Sequence, residues 1–570
     1  MKKITTSVFS LLVFLFHTFA AYADTDVDKF SWPPMYNTGD TSNQPLLGYS
    51  LTISDQTDDY DSGASFIRTF GLLQPYCGSF TDPICLQEVK KGNPWWASVT
   101  YPPCISETEN APCILGVRVT DETGRTQKLK LERELTGISW DANADIGLPR
   151  GSMPSLWVTE RQAGTGKGYM VTAKSGLSVI NDNLKNTSTV KTVIPNNFEA
   201  SVRAYSTKFG TFSPPVFRKL ADGRHSYSVI SPQYCIWMTA SECGLLEEFN
   251  SQERIELQLH VPKRAGEWLM GRLSKPNISI GAIDSKSSQF ERLTISGQPV
   301  SVPLFSTKVE AVQATQEMKD QLTNNKNCMA LAYCRSGYYG GVVASSGDYA
   351  FKQFRIFEKF FGENANKVFP RWSVRSLSNS DPVVESCLIK AKSEVSGIVT
   401  TNASIYDGEP PRFENNEFTY RVAALHKLPN GEIFRGTYDL ALSGTFARCL
   451  YGFSKAPIQA SIQVTSASGE QQIATTSYSE LNDWIYVSAS GFTFSEPEIK
   501  ARLLQDKQVM VAPSAAPSPA PSQATSTQSA AATPAVKAPA KRVSITCVKG
   551  KLTRKVAGVA PKCPAGFKKK

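Results

Sequence analysis

This sequence predicts a mainly β, multi-domain architecture. Apolar residues recur at period two in many short runs, and clusters of Gly, Pro, Asn and Asp separate those runs. Twelve cysteines fall mostly in near-neighbour pairs. The expected form is β-sandwich or jelly-roll-like. It carries a short helical region, a disordered Ala/Pro/Ser linker and a small disulfide-stapled hairpin at the C-terminus.

The chain opens MKKITTSVFSLLVFLFHTFAAYADTD. Lys2 and Lys3 precede an apolar run from Val8 to Phe16, and Ala21-Tyr22-Ala23 forms an A-x-A cleavage site. Residues 1–23 therefore read as a secretory signal peptide, with the mature chain starting at Asp24. No later stretch approaches the ~20 apolar residues of a spanning helix. Export fits the even number of cysteines. Spacing suggests the pairs 77–85, 104–113, 235–243, 328–334, 387–449 and 547–563 among Cys77, Cys85, Cys104, Cys113, Cys235, Cys243, Cys328, Cys334, Cys387, Cys449, Cys547 and Cys563. Structural zinc is the alternative, but no C-x-x-C occurs.

Residues 24–305 read as an all-β region with disulfide-pinned loops. CILGVRVTDETGRTQKLKLERE suggests a hairpin about Gly124, SLWVTERQAGTGKGYMVTAK suggests another, and RIELQLHVP alternates cleanly. Residues 306–380 differ. Thr307-x-x-Glu310 resembles a capping box, and Ala311, Ala314, Met318 and Leu322 follow at helical spacing. Phe351, Phe354, Phe357 and Phe361 form a second helical stripe, with Gly362 as its expected C-cap. Such a stripe is a core face far more often than a ligand pocket.

Residues 381–510 return to strands and read as β-sandwich-like. LHKLPNGEIFRGTYDLAL suggests a hairpin with a type I′ turn at Asn430-Gly431, and SIQVTSASGEQQIATTSY a further hairpin. No tryptophan lies between Cys387 and Cys449, so an immunoglobulin signature is incomplete. Residues 511–541 hold almost nothing large and apolar, which makes them a linker. Residues 542–570 form a basic two-cysteine tail.

Charge is segregated. Of a formal net +10, ten basic residues and no acid lie in 541–570 and two lysines in the leader, so residues 24–540 carry net −2. The body is not a general nucleic-acid binder. Only the tail, with Lys549, Lys551, Arg554, Lys555 and Lys562, offers a positive field for an anionic cell-wall polymer or another surface polyanion. The bland alternative is a solubilising tail.

TTNASIY, YRVAALHKLPNGEIFRGTYDLAL, ARCLYGFSKAPIQASIQV and SASGFTFSEPEIKARL resemble a module near the C-termini of uncharacterised secreted actinobacterial proteins. TCVKGKLTRKV…PKCPAGFKKK resembles a tail those proteins share. The resemblance covers 381–510 and 542–570. It implies a secreted, cell-surface-type actinobacterial protein and carries over no catalytic residue.

Chemistry is sparse. The mature chain's histidines, His225, His260 and His426, lie in separate segments with no H-E-x-x-H. His260 in LQLHVP reads as a strand residue. AGTGKGY lacks the Gly, Ser/Thr and helix that a phosphate loop needs, so it reads as a hairpin turn. In DQTDDYDSG, Asp59 and Asp61 match a fragment of a calcium loop, but the distal Glu is missing. The plainer reading is a solvated acidic loop, and no other cofactor is suggested. Trp95 and Trp96 are adjacent, so in a strand they face opposite ways, and one of them, with Tyr101, is a candidate for stacking on a ligand. Burial between sheets is the bland reading. Two function classes follow: a non-enzymatic surface protein attached by its tail, or a secreted hydrolase or lyase acting on polysaccharide.

Overall fold

The computed structural model describes residues 46–55, 65–69, 77, 95–143, 147–181, 190–193, 197–214, 216–219, 225–228, 235–250, 252–263, 268–284, 289–320, 334–335, 337–377, 386–387, 395–415, 417–454, 459–465, 474–494, 498–504, 543–549, 552–558, 563 and 568–569. The signal peptide, the linker, Asp59, Asp61, Cys85, Cys328, Lys551 and Lys562 lie outside them. The chain is mainly β and divides into two units, Met1–Asp506 and Lys507–Lys570.

In the first unit the alternating strand Arg254–Pro262 shows how the core forms. Ile255, Leu257 and Leu259 point inward and are fully buried, while Glu256 and Gln258 are half-exposed between them. Each such side chain contributes about 1.5–3 kcal/mol by leaving water. The strand pairs antiparallel with Cys113–Thr120 on one side and Phe290–Leu304 on the other. A second sheet runs through Trp95–Thr100, Lys167–Asn181, Glu199–Phe209 and Ser373–Leu377. Val171, Ala173, Ala200 and Val202 from this sheet share one core with Val117, Ile255, Leu257 and Ile295.

The long strand Trp268–Ala282 serves both sheets. Residues 268–272 pair with Ser373–Leu377, and residues from 273 onward pair with Phe290–Leu304. The change of partner falls between Arg272 and Leu273, and just beyond it, at Lys275-Pro276, the register slips between Ser274 and Asn277 and Lys275 has φ 51°. Pro276 has no N–H for a ladder bond, so the strand bends there.

A second sandwich follows. Gly397–Thr401, Gly436–Ser443, Trp484–Phe492 and Thr475–Leu481 form one sheet. Glu417–Ala423, Glu498–Leu504 and Gln459–Thr465 form the other. Leu440, Leu442, Ile485 and Val487 meet Phe418, Tyr420, Ile499 and Leu503 in its core. Gly397–Thr401 also pairs in parallel with residues 268–271, so one hydrogen-bonded framework runs through both sandwiches and across the expected boundaries at 305/306 and 380/381.

Two local expectations are corrected here. The strands flanking Asn430-Gly431 belong to opposite sheets, as do Gln459–Thr465 and Thr475–Leu481. The long strands are therefore crossings between layers, and only a short antiparallel pairing, Lys427 with Ile433, spans Asn430-Gly431. The turn itself is not type I′, because Gly431 has φ 86° but Asn430 has no positive φ. In a two-residue hairpin the 429 carbonyl accepts from the Glu432 N–H and the 429 N–H donates back to the Glu432 carbonyl, and Pro429 cannot supply that second bond. The closing bond instead runs from Leu428 N–H to the Glu432 carbonyl at 2.8 Å, with Gly431 N–H bonded to the Leu428 carbonyl at 2.9 Å.

The region around residues 306–377 also departs from its pattern. Thr307 caps no helix: Ser306–Glu310 is a strand paired antiparallel with Gly48–Ser54, which runs parallel to Tyr338–Ala344. The Thr307 hydroxyl donates to the Phe360 carbonyl at 3.0 Å. Helix Gln316–Asp320 starts later and buries Met318. Helix Asp348–Phe357 places Phe351, Phe354 and Phe357 in the core as expected, and Phe361 packs on Phe305 at 4.6 Å. Gly362 is not the cap: the helix tightens into the 3-10 turn Glu358–Phe360 and leaves extended at Phe361.

Disulfides Cys104–Cys113, Cys235–Cys243 and Cys387–Cys449 join the pairs expected from spacing. Cys77 and Cys563 are also disulfide-bonded. Among the described residues, no helix is long and apolar enough to cross a membrane.

In the second unit, Val543–Lys549 and Leu552–Gly558 form the expected antiparallel hairpin, with Lys568–Lys569 added as a third strand.

Candidate functional site

The aromatic candidates separate. Tyr101 is fully buried, stacked on Phe198 at 6.4 Å, with its hydroxyl bonded to Ser175. Burial pushes its phenol far above the ordinary range. It belongs to the core and cannot meet a ligand. Trp96 is half-buried in Trp95–Thr100, between Arg68 and Ser178 of its neighbour strands. Trp95 occupies the preceding position, opposite Thr69 and Val179.

His260 is a buried strand residue, and its role is structural. Its Nδ1–H donates to the Glu109 carbonyl at 2.7 Å, holding the loop that Cys104–Cys113 closes. Burial depresses its pKa. The Cys104 and Cys113 sulfurs lie near the ring in a grouping that resembles a metal site. They are bonded to each other, so no thiolate is available to a metal.

In the terminal hairpin, Lys549 stands opposite Leu552, Arg554 opposite Cys547 and Lys555 opposite Thr546. Lys568 and Lys569 are exposed on the third strand.

A cavity with several converging polar groups was not visible in the sequence. It measures about 310 Å³ and is lined by Lys275, Pro276, Asp439, Ser477, Ser479, Tyr486 and Ser488, among others. The bend at Pro276 brings the first sandwich over the outer face of Gly436–Ser443, Trp484–Phe492 and Thr475–Leu481. On that face, register aligns Thr400, Asp439, Ser488 and Ser477 in one row across four strands. Asp439 is almost wholly buried. Its Oδ1 accepts from Ser488 Oγ at 2.6 Å, and its Oδ2 accepts from Lys275 N–H at 3.0 Å and Thr400 Oγ1 at 3.1 Å. The Tyr486 hydroxyl donates to Asn277 Oδ1 at 3.2 Å.

Burial is the first cause that raises the Asp439 pKa above its ordinary 3.8, opposed by the bonds from Ser488, Lys275 and Thr400. A carboxyl whose pKa rises on folding contributes stability that is complete below the unfolded value and is lost as pH climbs through the folded one. Asp439→Asn removes this titration. The stability of the natural protein relative to the variant is therefore expected to fall as pH rises from below 3.8 toward neutrality, read from urea unfolding across that range. A difference independent of pH contradicts this.

A smaller cavity of about 180 Å³ lies over Tyr169 and Glu253, with Arg125 and Arg161 also lining it. Tyr169 donates to one Glu253 oxygen and the Asn250 N–H to the other at 3.0 Å. Burial raises the Glu253 pKa.

Sequence reasoning missed both buried carboxylates. The only local signal for Asp439 is an acid inside TYDLALS, a strand buried on both faces.

No protein-family model matches the chain, and no curated protein matches it.

Proposed function

We propose that this is an exported, non-enzymatic surface protein, attached through its basic terminal hairpin to an anionic polymer. The observation that carries the reading is charge segregation: ten basic residues and no acid in 541–570, against net −2 over 24–540. A hairpin frame supports it by holding Lys549, Arg554 and Lys555 at fixed spacing. Disulfides are compatible with an oxidising exterior. The similarity of the tail to those of secreted actinobacterial proteins points the same way. Binding is favoured over hydrolysis because the larger cavity is lined by one carboxylate, whereas glycoside hydrolysis ordinarily requires two.

Such attachment is electrostatic and short-ranged, with a screening length of about 8 Å at physiological salt. Removing residues 542–570 is expected to release the protein from the surface of the producing cell into the medium. In vitro, the full-length mature chain is expected to bind an immobilised polyphosphate and elute with salt, while the truncated chain flows through. Retention of the truncated chain, on cells or on the column, sinks the reading.

A further inference from the structure

We propose that the cavity over Asp439 is a binding site for an uncharged, polyhydroxylated ligand of about one sugar ring. The site is distinct from the terminal hairpin, and the inference stands whether or not the tail attaches to a polymer.

The argument begins with what the floor can still do. A carboxylate offers about four lone-pair sites. Three bonds reach Asp439, from Ser488, Lys275 and Thr400. One acceptor position remains on a group that three donors hold in place. Ser477 and Ser479 line the same cavity with hydroxyls that can each donate or accept, and Ser488 Oγ, whose proton goes to Asp439, can still accept. The Tyr486 side chain supplies apolar surface, and its hydroxyl is fixed on Asn277, so it is already oriented. Alternating acceptors and donors beside an aromatic side chain match a sugar's hydroxyls and its C–H face.

Other ligand classes fit less well. An anion would meet the Asp439 carboxylate. A hard cation takes six to eight oxygens and usually several carboxylates, and the lining supplies one acid beside Lys275. A purely apolar ligand would leave the hydroxyl row unpaired. About 310 Å³ is at the lower end of the ~300–1,000 Å³ typical of ligand sites, enough for one small ring. The open side is bordered by Thr475–Leu481, an exposed strand whose only partner among the described residues is Trp484–Phe492. A longer glycan could therefore extend outward from that ring.

The test uses the disulfide-intact mature chain and saturation-transfer NMR with the methyl glycosides of glucose, galactose, mannose and N-acetylglucosamine. At least one is expected to show saturable transfer. Ser477→Trp, a change at an exposed position that fills the cavity without removing a buried group, is expected to abolish it. Tyr486→Ala is expected to weaken binding about tenfold, as loss of an aromatic anchor does. Matched near-ultraviolet circular dichroism establishes that each variant is folded. Absence of transfer from all four glycosides, or undiminished transfer in both folded variants, overturns the proposal. Neither outcome depends on the tail, which can be present or deleted.

Discussion

Arg272→Ala is expected to destabilise the first unit by about 3–5 kcal/mol, the cost of leaving a buried charge unpaired. Arg272 and Asp55 are each only 1% exposed, with Nε to Oδ2 at 2.5 Å. The remaining guanidinium nitrogens are also engaged. Nη1 donates to the carbonyls of Thr401 and Ala403, and Nη2 reaches Ser345 Oγ at 3.5 Å. Ser345 in turn donates to Asp55 Oδ1 at 2.9 Å, and the Tyr406 ring lies 4.4 Å from the Arg272 guanidinium carbon. These partners come from three places: the end of Gly48–Ser54, the end of Tyr338–Ala344, and the start of the second sandwich. One side chain thus ties the small mixed sheet to both sandwiches.

The effect separates from simple loss of packing in a double-mutant cycle. Asp55→Ala and Arg272→Met should each be strongly destabilising, while the double variant loses less than their sum, because neither charge is then stranded. Urea unfolding of the body measures all three. Additive losses would mean that the pair is not coupled. A loss under about 1 kcal/mol for Arg272→Ala would place the network among weakly contributing ion pairs.

What could be read from the sequence was local. Ile255, Leu257 and Leu259 announce their strand because period two depends only on neighbours. The phenylalanine stripe at 351, 354 and 357 announces its helix for the same reason. Cysteine spacing anticipated the bonds at 104–113, 235–243 and 387–449. Partner choice was not legible. Gly436–Ser443 looks like the return arm of a hairpin, but it pairs with Gly397–Thr401 and Trp484–Phe492 instead. Thr307 shows the opposite error: a good capping pattern yields to pairing with Gly48–Ser54, since ladder bonds and burial outweigh a cap of about 1 kcal/mol. Asp439 illustrates why the cavity was hidden. Its neighbours Thr400, Ser488 and Lys275 are remote in sequence, and only the sheet register and the bend at Pro276 assemble them.

Loss of the Cys387–Cys449 bond is expected to cost about 4 kcal/mol, more than any other disulfide described here. In the chain-entropy picture the penalty removed from the unfolded state grows with the loop closed. This bond joins residues 62 apart, whereas Cys104–Cys113 and Cys235–Cys243 are separated by 9 and 8. The same relation gives about 2.7 kcal/mol for loops of that shorter size. Cys449 sits in helix Gly444–Tyr451, whose Phe446 packs edge-on against Trp268 at 5.9 Å and whose Arg448 pairs with Glu480 and Asp483. The helix is therefore anchored independently of the disulfide, so the native state should persist without it. Paired Cys→Ser variants at 387/449 and at 104/113, unfolded in urea without reductant, compare the two loops directly. The long-loop variant should lose more stability by about 1.5 kcal/mol if unfolded-state entropy is the source. An equal or smaller loss would assign the stabilisation to native packing around each bond, because loop length would then have no bearing on it.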